Sequence, residues 1–311
     1  MRIAVTGANG FVGRSVIRAI HARGHYSIAL VRDGIRHSCD FPADETELIG
    51  DIGENEDLQI RSRFDVMIHL ASRTHVLKHQ KNGADAMFRL VNVLGTKHAL
   101  NAAKLAGAKR FVFMSSIKVN GESSLPGMPL TGEDRPAPED AYGRSKLEAE
   151  LIGAQLAKQL GIEWIAIRPP LVFGGGAKGN LRVLSKIVKM GIPMPLGSVV
   201  NRRSMIHVDN LSDLTVHCCE SCTTSNVILA GDGTTISTVE LINAIAVAEG
   251  VKPMLFRCPV GLLEASARLF GREHDVSRLT GSLEIDHSEA ERILGWRPPI
   301  EPSEALLNGF G

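Results

Sequence analysis

The 311-residue sequence predicts an α/β fold: a doubly wound parallel sheet followed by a smaller C-terminal α/β part. Three observations predict it. Short apolar runs alternate with amphipathic stretches through the first half. Those runs are apolar almost throughout, as strands buried on both faces must be. A glycine-rich turn joins the first run to the first amphipathic stretch, the junction that a dinucleotide site requires.

The elements follow in order. Residues 3–5 form the first strand, starting so near the N-terminus that no signal peptide is expected. Residues 12–22 repeat with helical period, and 28–31 form the second strand. A third strand ends near Asp51, a fourth covers 66–71, a long helix spans 84–106, and a fifth strand covers 110–114. A helix over 146–159 and a strand over 164–167 complete this half. After Arg168-Pro169-Pro170 the texture changes. Gly174-Gly175-Gly176 and Lys178-Gly179 make a loop, and Pro193, Pro195, Pro253 and Pro259 punctuate the rest. Helical patterns persist at 181–189 and 239–248, and 226–230 reads as a strand returning to the main sheet. The expected division is discontinuous. Residues 1–170 with about 205–231 bind the dinucleotide, and about 171–204 with 232–311 bind substrate.

Composition excludes several function classes. Hydrophobic residues are 44% and charged residues 22%, as in ordinary globular proteins. Lys+Arg is 35 against 34 for Asp+Glu, so neither nucleic acid nor an anionic membrane is the expected partner. No apolar run approaches the roughly 20 residues that span a bilayer. Five cysteines in so long a chain read as reduced thiols of a cytoplasmic protein. Cys218, Cys219 and Cys222 cluster without a second Cys/His group, so no metal is expected.

The turn Thr6-Gly7-Ala8-Asn9-Gly10-Phe11-Val12-Gly13 has the spacing G-x-x-G-x-x-G between a strand and a helix. One glycine makes the tight turn, one lets the backbone approach a pyrophosphate, and one lets helix and strand pack closely. The helix N-terminus offers unpaired N–H groups to the phosphates. Cofactor choice falls at the end of the second strand, Leu30-Val31-Arg32-Asp33. Val31 stands where an acid would receive a ribose hydroxyl, and Arg32 follows with a fork suited to a 2′-phosphate. NADP(H) is therefore favoured. NAD(H) is the alternative, in which Arg32 points to water and Asp33 serves the ribose. Asp51 is placed either at the adenine edge or as the cap of a following helix.

Tyr142 and Lys146 are four apart, on one face of a helix. Bringing a phenol from pKa near 10 to near 7 takes about 4 kcal/mol of preference for the phenolate. A neighbouring ammonium, with an oxidised nicotinamide, is expected to supply it. Ser115 and Ser116 end the fifth strand, where such sheets present site residues. Asn92, unfavourable by propensity in mid-helix, reads as part of a polar relay or else as a solvated helix residue. Nucleotide cofactor plus proton relay means redox chemistry on an alcohol or ketone.

With these residues the chain resembles the extended short-chain dehydrogenase/reductase family, specifically its nucleotide-sugar epimerases, dehydratases and reductases. Further marks are Gly50-Asp51-Ile52, His69-Leu70-Ala71-Ser72, Asn92-Val93-Leu94-Gly95-Thr96, Tyr142-Gly143-Arg144-Ser145-Lys146, Arg168-Pro169-Pro170, Arg203 through Leu211, and Leu294-Gly295-Trp296-Arg297-Pro298, in the family's order along nearly the whole chain. The resemblance implies a Rossmann cofactor domain and a C-terminal part that clamps a nucleotide diphosphate sugar. It implies Ser116, Tyr142 and Lys146 as catalytic residues. It adds Ile52, Leu70, Ala71, Ser72, Asn92, Ser115 and Pro169 to the cofactor set. It implies Asn180, Leu181, Arg203 and Arg278 at the substrate's diphosphate, and a homodimer through the helices near 84–106 and 146–159. Family dehydratases carry an Asp-Glu pair after the catalytic hydroxyl; here Ile117 and Lys118 follow Ser116, which disfavours water elimination. Val119-Asn120-Gly121 stands where many members read Val-Tyr-Gly. The segment from Ser115 to Glu122 resembles a bacterial surface-polysaccharide group. That group is similar to reductases of UDP-4-keto-6-deoxy-N-acetylglucosamine and is often labelled UDP-glucose 4-epimerase. The expected activity is oxidoreduction at carbon 4 of a UDP-sugar. Reduction of a 4-keto-6-deoxyhexosamine comes first, 4-epimerisation second, and a non-catalytic dinucleotide sensor is a remote third.

Overall fold

The computed structural model describes residues 1–32, 42–74, 83–125, 127–177, 179–223 and 227–309, except for the side chains of 307 and 308. Its main sheet uses β1 (Arg2–Thr6), β2 (Tyr26–Val31), β3 (Glu45–Leu48), β4 (Val66–His69), β5 (Arg110–Met114) and β6 (Glu163–Arg168). The chain then adds β7 (Leu171–Phe173), β8 (Arg203–His207), β9 (Val227–Leu229) and β10 (Thr235–Ile236). Seven strands lie parallel in the order β3-β2-β1-β4-β5-β6-β9. The expected parallel sheet is therefore present, and β9 returns to it beside β6. Asn226, the first residue of that expected strand, lies outside the described residues.

Strand alternation divides the apolar residues between two helical layers. Ile3, Val5, Ile68, Val112, Ile165 and Ile167 pack in the core that Leu211 and Leu214 of a helix at Val208–Glu220 share with Val16 and Ile17 of α1 (Phe11–Ala22). Ala4, Met67, Phe111, Phe113 and Trp164 pack in the core of the long helices on the other face. The chain runs outward from β1 to β3 and then back across β1 to β4. That reversal opens a crevice at the C-terminal ends of β1 and β4, the place where open α/β sheets bind ligands.

The long helix expected over 84–106 has three parts: α2 (Ala84–Phe88), a π-helical stretch Arg89–Leu94, and α3 (Gly95–Ala106). The helix expected to carry Tyr142 and Lys146 is present as α4 (Ala141–Leu160). Its start is set by Asp140, whose Oδ1 accepts from the Gly143 N–H at 2.7 Å.

The C-terminal part has a three-stranded sheet, β10-β8-β7, and its own core of Phe173, Leu181, Met205, Leu241, Ile242 and Ile245. Around it lie α5 (Asn180–Lys189), α7 (Thr238–Ala248), α8 (Val260–Leu269), α9 (Glu273–Thr280), α10 (Ser288–Leu294) and α11 (Pro302–Asn308). β8 belongs to this small sheet, whereas α6, which starts at Val208, packs on α1 of the large one. Among the described residues no helix is long and apolar enough to cross a membrane.

Gly153 in α4 lies under the Trp164 ring; a Cβ there would sit 2.3 Å from Cη2 and 2.7 Å from Cζ3. Alanine gains about 1 kcal/mol of helix propensity, but overpacking a rigid ring costs roughly 1–3 kcal/mol. Gly153→Ala is therefore expected to lower the melting temperature. An unchanged or higher value in a thermal melt would show that the indole yields without cost.

Candidate active site

The glycine turn is built by close approach. Gly7 has φ +67°, and its carbonyl accepts from the Gly10 N–H at 2.9 Å. A Cβ on Gly13 would lie 2.3 Å from that carbonyl oxygen, so only hydrogen fits. Gly10 is the N-cap of α1 and no side chain caps the helix, leaving the first-turn N–H groups of Phe11, Val12 and Gly13 as donors. A cleft of about 320 Å³ opens over this turn. Gly7, Asn9 and Gly10, Val31 and Arg32, Asp51 and Ile52, and Leu70, Ala71 and Ser72 line it. Most of the expected cofactor set thus converges on one crevice with a glycine cradle and helix donors, a donor set that fits a dinucleotide.

Arg32 is exposed at the mouth, with Nη1 3.7 Å from Asp51 Oδ2. Asp51 Oδ1 accepts from the Gly53 N–H at 2.9 Å, so Asp51 closes a turn and no described helix follows it there. Asp33, the alternative ribose partner, lies outside the described residues.

The catalytic candidates lie near one another at the end of β5. Lys146 is 2% exposed; its Nζ donates to the Met114 carbonyl at 2.8 Å and lies 6.0 Å from the Tyr142 ring centre. Ser116 caps the short 3₁₀ turn Ile117–Val119, and its Oγ accepts from the Lys118 N–H at 3.3 Å. The hydroxyls of Ser116 and Ser72 lie close enough to the Tyr142 phenol to lower its pKa against burial. Asn92 is no solvated helix residue: it is 1% exposed. Its Oδ1 accepts from the Ser72 hydroxyl at 3.0 Å and the Arg73 N–H at 2.8 Å, and its Nδ2 donates to the Ser145 hydroxyl at 2.9 Å. Ser145 in turn donates to the Tyr142 carbonyl at 2.7 Å. Asn92 thus ties the loop after β4 to the helix that carries Tyr142.

The electrostatics differ from the sequence expectation. Burial pushes the Tyr142 phenol up to about 12, with the Asp140 carboxylate adding to the rise and Ser116 and Ser72 pulling it back. Burial also brings Lys146 down to about 7, opposed by Glu150 one turn on. Burial outweighs the acidification that Lys146 was expected to supply. The physical reason is loss of water, which favours the neutral form of both groups.

Other expected residues take varied places. Ser115 is 3% exposed, its N–H donates to the Ile167 carbonyl at 2.7 Å, and its hydroxyl is buried between the layers; only Ser116 faces the phenol. The Pro169 carbonyl accepts from the Ile117 N–H at 2.9 Å and so fixes the loop that carries Ser116. Asn180 is exposed at the start of α5, whereas the Leu181 side chain is in the small core and leaves only backbone for a ligand. Arg203 donates to the Gly281 carbonyl at 2.9 Å, and Arg278 forks onto Glu122. Reading motif by motif missed the Ser72 contact with the phenol and the charge of Asp140 beside it.

The family model for the NAD dependent epimerase/dehydratase family matches residues 3–231. The chain is 37% identical to UDP-glucose 4-epimerase of Vibrio cholerae, over 99% of this chain and 93% of that protein. In structure it is similar to UDP-glucose 4-epimerase of Thermotoga maritima with UDP-glucose, with TM-score 0.77, 20% identity, and coverage of 100% of this chain and 97% of that one. It is similar to RMD of Pseudomonas aeruginosa complexed with NADPH, with TM-score 0.72, 23% identity, and coverage of 99% and 97%.

Lys146 gives a pH signature. Its folded pKa, about 7, lies below the ordinary 10.5, so between these values the unfolded chain binds the extra proton. Stability from this group therefore rises with pH across that window. The melting temperature of the wild type relative to Lys146→Met is expected to rise from pH 7 to pH 9. A pH-independent difference would show that the ammonium is not desolvated.

Proposed function

The chain belongs to the NAD-dependent epimerase/dehydratase family, and from that premise we propose that it carries out NAD(P)-dependent oxidoreduction at carbon 4 of a UDP-sugar, with 4-epimerisation as the leading form. The observation that carries the reading is Ser72, which lines the dinucleotide cleft and also lies close enough to the Tyr142 phenol to lower its pKa. Redox cofactor and proton donor are thereby brought to one place. Identity of 37% to a UDP-glucose 4-epimerase supports epimerisation and moves it ahead of simple reduction. Net reduction of a 4-keto-6-deoxyhexosamine is the second reading, supported by Arg32 at the mouth of the cleft, where it suits the 2′-phosphate of NADP(H).

The dinucleotide, when bound, supplies a hydride donor or acceptor. Tyr142, protonated at neutral pH, gives its proton to the oxygen on carbon 4 when a ketone is reduced. In the opposite direction it must become a phenolate, and a cationic Lys146 lowers the cost of that charge. Ser116 holds the same oxygen. Ile117 is buried and Lys118 is paired with carboxylates, so the positions after Ser116 offer no acid for water elimination. Asn180, the Leu181 backbone, Arg203 and Arg278 form the diphosphate side, on the part of the chain that spans about 171–204 and 232–311.

Purified protein incubated with UDP-glucose, UDP-N-acetylglucosamine and the 4-keto-6-deoxy sugar nucleotide separates the readings when NADPH absorbance and sugar products are followed together. Isomerisation without net NADPH loss is expected. Net loss with the ketone would favour the reductase, and no turnover of any of the three would remove the proposal. Under the NADP(H) reading Arg32→Ser raises KM for NADPH about tenfold while KM for NADH holds, and equal effects on both would point to NAD(H).

A cytoplasmic homodimer completes the proposal. Leu105 of α3 and Leu151 of α4 are 74% and 64% exposed, apolar surface on the two helices expected to pair. Sedimentation at micromolar concentration is expected to give twice the 33.5 kDa chain mass; a monomer would remove the dimer.

A further inference from the structure

On the substrate side of Ser116, charged groups from distant parts of the chain form one network. Arg278 in α9 donates from Nε to Glu122 Oε2 at 3.0 Å and from Nη2 to Oε1 at 3.3 Å. Lys118, two residues after Ser116, donates to Glu122 Oε1 at 2.7 Å and also to Asp140 Oδ2. Asp140 is the N-cap of the helix that carries Tyr142 and Lys146. Arg203 lies near enough to Arg278 that the two cations oppose each other. Burial disfavours a charged Glu122, but the hydrogen bonds and charges of Arg278 and Lys118 outweigh it and bring the carboxyl to about 2. Glu122 is thus a carboxylate at neutral pH.

One feature of this network points to a ligand. Lys118, Arg203 and Arg278 gather around the carboxylates Glu122 and Asp140, with Glu139 Oε1 accepting from the Glu122 N–H at 3.1 Å. A guanidinium presents two forked edges: Glu122 occupies the Nε/Nη2 edge, and the other makes no hydrogen bond among the described residues, Asp140 Oδ2 lying 3.7 Å from Nη2. Glu122, Asp140 and His274 lie close enough to suggest a metal, but the two carboxylates are already taken by Lys118 and Arg278.

We propose that Glu122 is a positioning residue for the substrate's diphosphate: it fixes Arg278 so that the free edge of the guanidinium meets the anion, and through Lys118 it links that arginine to the cap of the catalytic helix. The inference rests on the reading of Arg278 as a diphosphate ligand. Glu122 touches no reacting atom; it acts through Arg278. Because Lys118 shares its ammonium between Glu122 and Asp140, the arm that grips the diphosphate and the helix that carries the phenol share one counter-ion set.

The test is UDP binding, measured by calorimetry, on wild type, Glu122→Gln, Glu122→Ala, Arg278→Ala and the Glu122→Ala/Arg278→Ala double variant, with NADH affinity as an independent readout. Glu122→Ala is expected to raise the UDP Kd about tenfold and leave the NADH Kd unchanged. Glu122→Gln, whose amide oxygen still accepts from the guanidinium, is expected to show a smaller rise. In the double variant the loss is expected to match Arg278→Ala alone, since a residue that works through Arg278 has nothing left to position. Wild-type binding of UDP with unchanged affinity in Glu122→Ala would overturn the inference and leave the nucleotide reading intact. Tighter binding would overturn it too, by showing that Glu122 competes with the diphosphate. Wild-type protein that fails to bind UDP would overturn both. If Glu122→Ala does not fold, the Gln variant carries the decision, with an unchanged UDP Kd counting against the inference.

Discussion

A buried ammonium is the constraint around which the site is arranged. Lys146 has almost no exposed surface, and burying a cation without partners costs several kcal/mol. The chain answers with the Met114 carbonyl at the end of β5, the Phe113 ring 4.6 Å from the ammonium, and the charge of Glu150 on the next turn of α4. Glu150 is buried in turn, and Arg168 at the end of β6 forks onto it at 2.9 and 2.5 Å. The remaining side of Arg168 donates to Asn120 Oδ1 at 2.9 Å. Asn120 thereby completes the hydrogen bonding of a buried arginine, and its own Nδ2 donates to the Thr131 carbonyl.

A second consequence concerns the long helix beside the cleft. A regular α-helix over 84–106 would not explain a buried mid-helix asparagine. The π-helical stretch Arg89–Leu94 shifts the hydrogen-bond register, and Thr96 donates to the Asn92 carbonyl at 2.6 Å. The Asn92 amide is then available to the loop after β4 and to Ser145 at once. One side chain fixes Ser72, on the cofactor wall, relative to the helix that holds the phenol. Positional precision here comes from a fully bonded buried network rather than from apolar packing.

The two protonation states make chemical sense together. A phenol held near 12 is a secure proton store at neutral pH, and a lysine near 7 is a cation whose charge is easily altered by what binds beside it. Three hydroxyl-bearing residues, Ser72, Ser116 and Tyr142, lie together at the end of the cleft, and the two serines pull the phenol's pKa down against burial.

The sequence by itself determined the local rules: a strand, a glycine turn and a helix N-terminus at residues 2–13, buried parallel strands, and a Tyr/Lys pair one helical turn apart. Each depends on neighbours within a few residues, where steric limits and periodicity act directly. It also identified Ser116 as a site residue without separating its environment from that of Ser115, because two adjacent residues at a strand end face opposite ways and only the packed layers decide which one sees the cleft. Tertiary structure alone decided the sign of the Tyr142 shift, the inward turn of Leu181, and the meeting of Glu122 with Arg278 across 156 positions. Those outcomes follow from burial and from charges brought together by distant parts of the chain, and no local pattern encodes the loss of water that sets them.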